Sequence, residues 1–149
     1  MARVGTARYT LEWHLRRGPM QKERPFTGYR VLIIEDEVMQ AWGLSGLITD
    51  LGGTVGSIAY NDEQARQILH RQSFDCVILD LNLDGIYAYP ITSLLQQFGI
   101  PFVFCTAYAE SVDVFSGLSD IPRLNKPVSA ADLRDAILLV TRPKSPDCG

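Results

Sequence analysis

The sequence predicts a doubly wound α/β domain built on a parallel sheet. Two runs, Val31-Leu32-Ile33-Ile34 and Val77-Ile78-Leu79, are apolar at every position, the pattern of strands covered on both faces. Stretches with helical spacing alternate with such strands along the chain, which is how βαβ units read. A third observation locates the chemistry. Both runs end abruptly in carboxylates, Glu35-Asp36-Glu37 after the first and Asp80 after the second, and in open α/β sheets functional groups gather beyond the carboxyl ends of the strands.

The totals set the limits. At 149 residues the chain has the length of one domain and can bury a real core. Apolar content of 46% and charged content of 21% are those of an ordinary soluble globular protein. No apolar run approaches the ~20 residues that span a bilayer, and the N-terminus has no apolar signal segment. Cys76, Cys105 and Cys148 are odd in number and lack metal-ligand spacing. Two of them fall in expected core strands, so reduced, buried thiols in a cytoplasmic protein are the plain reading. The net charge of −3 hides an asymmetry. Residues 1–28 carry six basic and two acidic residues, or +4, and the remainder eight basic and fifteen acidic, or −7. An acidic domain of this kind is a poor nucleic-acid binder.

Residues 1–28 show no sustained periodicity. Tyr9 to Arg17 has enough spacing for two helical turns, but Gly18-Pro19 ends it and Arg24-Pro25 follows. A basic arm touching an anionic surface is one reading; a flexible leader, or residues ahead of a start at Met20, is the one preferred. Arg30 to Ile34 is the first strand. Val38 to Asp50 follows as a helix with Val38, Trp42, Leu44, Leu47, Ile48 and Leu51 as its inner stripe, stopped by Gly52-Gly53. Thr54 to Tyr60 is a strand that ends in no acid. Asn61-Asp62 cap a helix to about Gln72, with Ala65, Ile68 and Leu69 inward and His70 on the surface.

After the Asp80 strand come an Asp84-Gly85 turn and a helix from about Tyr87 to Phe98, with Pro90 tolerated in its first turn. Phe102 to Cys105 is a fourth strand, ending at Thr106. Residues 107–120 are poor in helix formers and are expected to be the mobile element. Arg123 to Asn125 is a short fifth strand ending at Lys126-Pro127. Ser129 caps a last helix, Ala130 to about Val140, whose inner stripe is Leu133, Ile137 and Leu138. The expected organisation is a leader at 1–28, a domain at 29–141 and a tail at 142–149.

With right-handed crossovers, the flavodoxin-like strand order 2-1-3-4-5, helices on both faces, brings the first, third, fourth and fifth strand ends together. Those ends deliver Glu35 and Asp36, Asp80, Thr106 and Lys126. Three clustered carboxylates need a cation, and oxygen-only ligands suit Mg²⁺. Asp36 and Asp80 are expected to ligate directly, Glu35 to hold a metal-bound water, and the Asn82 backbone carbonyl to add an oxygen. Asp80 then serves as a nucleophile toward phosphorus. Lys126, the Thr106 hydroxyl and the Ala107 N–H surround the phosphoryl oxygens.

Val31-Leu32-Ile33-Ile34-Glu35-Asp36-Glu37, Asp80, Thr106 and Lys126-Pro127 resemble the receiver domain of two-component response regulators, from about Tyr29 to Thr141. The resemblance implies that Asp80 is the Mg²⁺-dependent phosphoacceptor for a histidine kinase or phosphotransfer protein. It implies metal binding for Glu35 and Asp36, and phosphate sensing for Thr106 and Lys126. Pro101 to Tyr108 is also similar to a stand-alone subgroup reading Pro-Phe-x-Phe-Ala-Thr-Gly plus an aromatic, with Cys105 and Ala107 departing from it. The family carries an aromatic residue three positions before the lysine, where this chain has Arg123. Tyr108 is the candidate substitute for that switching ring, either moving or merely shielding the site.

No output domain follows the last helix, so a single-domain, signalling regulator, monomeric or weakly dimeric, is expected, docking on a protein partner or draining phosphoryl groups from a kinase. One alternative is an aspartyl-phosphate-forming phosphatase, which would want an acid two residues after the nucleophile. That position is Asn82, better suited to setting the lifetime of the phosphoryl-Asp80 bond. The other is an unphosphorylated, receiver-like interaction module.

Overall fold

The computed structural model describes residues 24–83, 86–87, 89–107 and 118–141. Seven strands and four helices are present among them: β1 Arg30–Ile34, α1 Val38–Asp50, β2 Thr54–Ala59, α2 Asp62–Arg71, β3 Cys76–Asp80, β4 Asn82–Leu83, β5 Ile86–Tyr87, α3 Tyr89–Phe98, β6 Phe102–Thr106, β7 Arg123–Asn125 and α4 Ala130–Val140. Five strands form one parallel sheet in the order β2-β1-β3-β6-β7. In chain order of the sheet strands this is the expected 2-1-3-4-5.

The uninterrupted apolar runs are explained by what covers them. Val77 and Leu79 of β3 join Leu32 and Ile34 in a layer closed by Ala65 and Leu69 of α2 and Ile91 and Leu95 of α3. Cys76 and Ile78 join Val31 and Ile33 in the opposite layer, against Ala41, Leu44 and Ile48 of α1 and Leu133 and Ile137 of α4. Every residue of β3 and β6 is buried. Each large side chain fully buried in these layers is worth about 1.5–3 kcal/mol, so β1, β3 and β6 form the rigid middle of the molecule.

Local chemistry places the helix ends as expected. Asn61 Oδ1 accepts from the Gln64 N–H, and Ser129 Oγ from the Asp132 N–H. Gly52 has φ +94°, and a Cβ there would lie 2.7 Å from that of Arg24, so the chain turns where only glycine fits. On β2 the register with β1 skips Gly56, where the Arg30 side chain occupies the space a Cβ would need. That side chain bonds Gln72, lies over the Phe74 ring, and is clamped by the Arg30 N–H donating to Asp75.

Three expectations need correction. Val38 and Trp42 do not belong to the inner stripe of α1: they are 45% and 60% exposed. The helix turns Ala41 inward with Leu44 and Ile48, an i, i+3, i+7 stripe that leaves Trp42 on the adjacent face. The helix expected from Tyr87 starts at Tyr89, and Asn82–Leu83 pairs antiparallel with Ile86–Tyr87. Asp-Gly between two short extended pairs is a hairpin signal; Asp84 and Gly85 themselves lie outside the described residues. Finally, residues 24–28 are part of the folded body rather than leader. Phe26 is fully buried, stacks on Tyr29 at 5.6 Å, and its N–H donates to the Leu51 carbonyl. Tyr108 and most of 107–120 lie outside the described residues, as do residues 1–23 and 142–149.

Phe26→Ala is therefore expected to cost about 3–5 kcal/mol. Urea denaturation measures it; a loss under 1 kcal/mol would mean that Phe26 is not a core residue.

Candidate functional site

The carboxyl ends of β1 and β3 are flush, since Ile34 pairs with Leu79, so the residues that follow emerge side by side. Glu35 is 1% and Asp80 6% exposed, while Asp36 is half-buried. A carboxylate oxygen from each of the three lies within 4.8 Å of the others. Glu35 is held from below as well: its N–H donates to the Ala59 carbonyl, and its Oε1 accepts from the Glu37 N–H at 3.2 Å.

Lys126 arrives from the edge strand. Its N–H donates to the Thr106 carbonyl at 2.9 Å, which ties the end of β7 to the end of β6, and the peptide to Pro127 is cis. Its ammonium then reaches Glu35 Oε2 at 2.6 Å and Asp80 Oδ2 at 3.3 Å. Thr106 is buried at the end of β6 and Ala107, the next residue, is exposed. Asn82 opens the short β4, two residues past Asp80. Arg123 is half-buried on β7 opposite Phe104.

Three carboxylates against one ammonium leave the cluster electrostatically short of positive charge. Burial pushes the Glu35 carboxyl up from 4.5 to about 7; the Lys126 hydrogen bond pulls the other way, and the Asp80 charge adds to the rise. Burial opposes the charge on Lys126, yet its hydrogen bond to Glu35 and the charges of Asp80 and Glu35 outweigh that, and its pKa is raised. A set of hard oxygen donors in this deficit is what a small divalent cation fits. Glu35, Asp36 and Asp80 are the residues that would hold it.

The sequence expectations for Glu35, Asp36, Asp80, Thr106 and Lys126 thus meet at one end of the sheet. Unanticipated was the closeness of Glu35 to Lys126: the ammonium lies nearer to Glu35 than to Asp80. A cleft of about 450 Å³ beside the site was also missed, lined by Gln40, Gly43, Leu44, Leu47, Lys126, Pro127 and Val128. A Cβ at Gly43 would meet nothing within 4 Å, and no periodicity signals a cleft formed between a helix face and the chain after β7.

A family model described as the response regulator receiver domain matches residues 31–138. The chain belongs to that family. This receiver is 30% identical over 118 residues to the positive alginate biosynthesis regulatory protein of Pseudomonas aeruginosa, covering 76% of this chain and 47% of that one. It spans about half the length of the curated relatives it matches. The solution structure of the receiver domain of the Erythrobacter litoralis PhyR response regulator is similar at a TM-score of 0.69 and 27% identity, covering 83% of this chain and 98% of that one. SdrG from Sphingomonas melonis is similar at 0.66 and 31%, covering 78% and 98%. Receivers are signalling modules, and no described helix of this one is long and apolar enough to cross a membrane.

Glu35 yields a pH signature. Its folded pKa of about 7 lies above the ordinary 4.5, so the folded state holds a proton that the unfolded state releases. Its stabilising contribution is complete below about 4.5 and is lost as pH rises through about 7. In divalent-free buffer, the Tm of the native protein should fall more steeply over that window than the Tm of Glu35→Gln. Parallel curves would contradict the shift.

Proposed function

We propose that Asp80 accepts a phosphoryl group from a phosphohistidine on a histidine kinase or phosphotransfer protein, in a Mg²⁺-dependent reaction. The observation that carries this is the Lys126 ammonium, held between Glu35 and the Asp80 carboxylate. A fixed cation beside the Asp80 carboxylate supports this reading, because it is positioned to receive the negative charge that a phosphoryl group brings. The bound cation would neutralise charge among Glu35, Asp36 and Asp80, with the Asn82 backbone carbonyl as a further oxygen, and lower the repulsion that the incoming phosphate meets.

The chain's own residues do the rest. An Asp80 oxygen attacks phosphorus, the P–N bond to the donor imidazole breaks, and the imidazole nitrogen keeps the electron pair and takes up a proton. Lys126 follows the new acyl phosphate, and the Thr106 hydroxyl and Ala107 N–H receive its remaining oxygens. The barrier falls because these groups are positioned beforehand by β6 and β7. Asn82 stands where a phosphatase of this chemistry carries its acid, so the acyl phosphate persists rather than turning over on external esters. The cleft lined by Gln40, Leu44, Leu47 and Lys126 is a surface on which the donor protein would dock beside the ammonium.

The phosphorylated form then changes docking on a protein partner or drains phosphoryl groups from the donor, with Tyr108 and Arg123 as switching residues. Cytoplasmic residence fits the two buried free thiols, Cys76 and Cys105, whose pKa values burial pushes up to about 12.

Incubation with acetyl phosphate and Mg²⁺ should add one phosphoryl group, absent in Asp80→Ala and after chelation of the metal. Lys126→Ala should slow labelling by about a hundredfold or more. Full labelling of Asp80→Ala would refute the acceptor assignment, and steady phosphate release from many esters would favour the phosphatase.

A further inference from the structure

The outer face of α1 is apolar where it meets water. Met39 is 76% exposed, and the exposed Trp42 and Val38 stand beside it. Scattered apolar residues on a surface need no explanation, but a contiguous group marks a place where something docks. Helical spacing sets Gly43 and Gly46 between Trp42 on one side and Gln40 and Leu47 on the other. A Cβ at either glycine would meet nothing within 4 Å, and Gln40 and Leu47 line the cleft that leads to Lys126. The face is thus a trough with a backbone floor, an indole along one edge and the cleft along the other.

The chain itself holds a segment placed to cover it. Residues 1–23 lie outside the described residues, but the point at which they join the fold is fixed. Arg24 stands against Gly52, just past the foot of α1, and the Phe26 N–H donates to the Leu51 carbonyl there. Trp42 is ten residues up the helix from Gly52, about 15 Å at the helical rise. The ten residues between Trp13 and Arg24 reach roughly twice that far when extended.

The composition of the segment matches the trough in two ways. The run read above as two helical turns also alternates strictly, Tyr9, Leu11, Trp13 and Leu15 with Thr10, Glu12, His14 and Arg16. Laid out extended, it turns four apolar side chains to one side. Residues 1–23 also carry five basic residues against two acidic. The head of α1 is acidic, with Glu37 exposed and Asp36 half-buried beside Glu35 and Asp80, and Lys126 is already engaged by the last two.

We propose that residues 1–23 dock on this face of α1, Tyr9 to Leu15 lying over Met39, Trp42 and the glycine floor. Running back from the foot of the helix, the segment brings Arg8 and Arg3 to the carboxylate end. A segment of the same chain is presented at an effective concentration on the order of millimolar, so contacts too weak to hold a separate peptide suffice. Seated there, it covers the cleft assigned above to the donor protein, and donor docking requires its release. That consequence rests on the donor reading; the docking itself does not.

Trp13 and Trp42 are the two tryptophans of the chain, so Trp13→Phe in the full chain leaves Trp42 as the lone indole. Acrylamide quenching of its fluorescence then reports whether it is covered. Quenching should be severalfold weaker in Trp13→Phe than in the same chain carrying Leu11→Glu and Leu15→Glu as well. The difference should shrink at high salt and survive dilution, with circular dichroism showing that both variants keep the fold. Equally strong quenching in the two would overturn the proposal. Equally weak quenching would overturn it too, assigning the face to a second copy where the protection is lost on dilution and to another part of the chain where it is not. None of these readings involves phosphoryl transfer, so a failure of the acceptor reading leaves them intact.

Discussion

One ammonium group holds this site together. Lys126 reaches two carboxylates from different strands, Glu35 at 2.6 Å and Asp80 at 3.3 Å, with Asp36 close enough to join them. Removing such groups from water costs nearly as much as their attraction returns, so a buried ion pair contributes little net stability. Its value is geometric. The charges orient one another, and the remaining deficit of positive charge makes the cluster receptive to a divalent ion. Burial, with a smaller contribution from the Asp80 charge, raises the Glu35 pKa to about 7.

Holding charges in place against their repulsion requires a rigid frame, which the two apolar layers provide. β1 and β3 are packed on both faces, so Glu35, Asp36 and Asp80 leave strands that cannot shift independently. β7 is different. It has three residues, forms one edge of the sheet, and among the described residues pairs only with β6. Its lysine is fixed by the bond from the Lys126 N–H to the Thr106 carbonyl and by the carboxylates themselves. The acidic half of the site belongs to the stiff centre and the basic half to the edge, where a small movement costs least. Arg123, three residues before Lys126, lies on that same edge strand.

Much of this was legible in the chain. Uninterrupted apolar runs could only be covered strands, and carboxylates at their ends, followed in order by Thr106 and Lys126, located the site without coordinates. Asn61 and Ser129 named their own helix starts, because a capping interaction is local and needs no tertiary partner. Helix faces were less secure. The spacing of Val38 and Trp42 is helical, but periodicity does not say which of two adjacent stripes meets the sheet, and the stripe through Ala41, Leu44 and Ile48 took that place. The antiparallel pairing of Asn82–Leu83 with Ile86–Tyr87 was hidden because two-residue strands carry almost no pattern.

The sequence by itself determined the fold class, the strand order and the identity of the charged groups, since these follow from short-range patterning and the handedness of crossovers. Only the tertiary structure decided that Lys126 lies closer to Glu35 than to Asp80, that Phe26 belongs to the core, and that the Arg123 Nη2 is buried with no partner among the described residues. Each of those depends on distances between residues far apart in the chain. Such distances are set by how whole layers pack, and no local pattern encodes them.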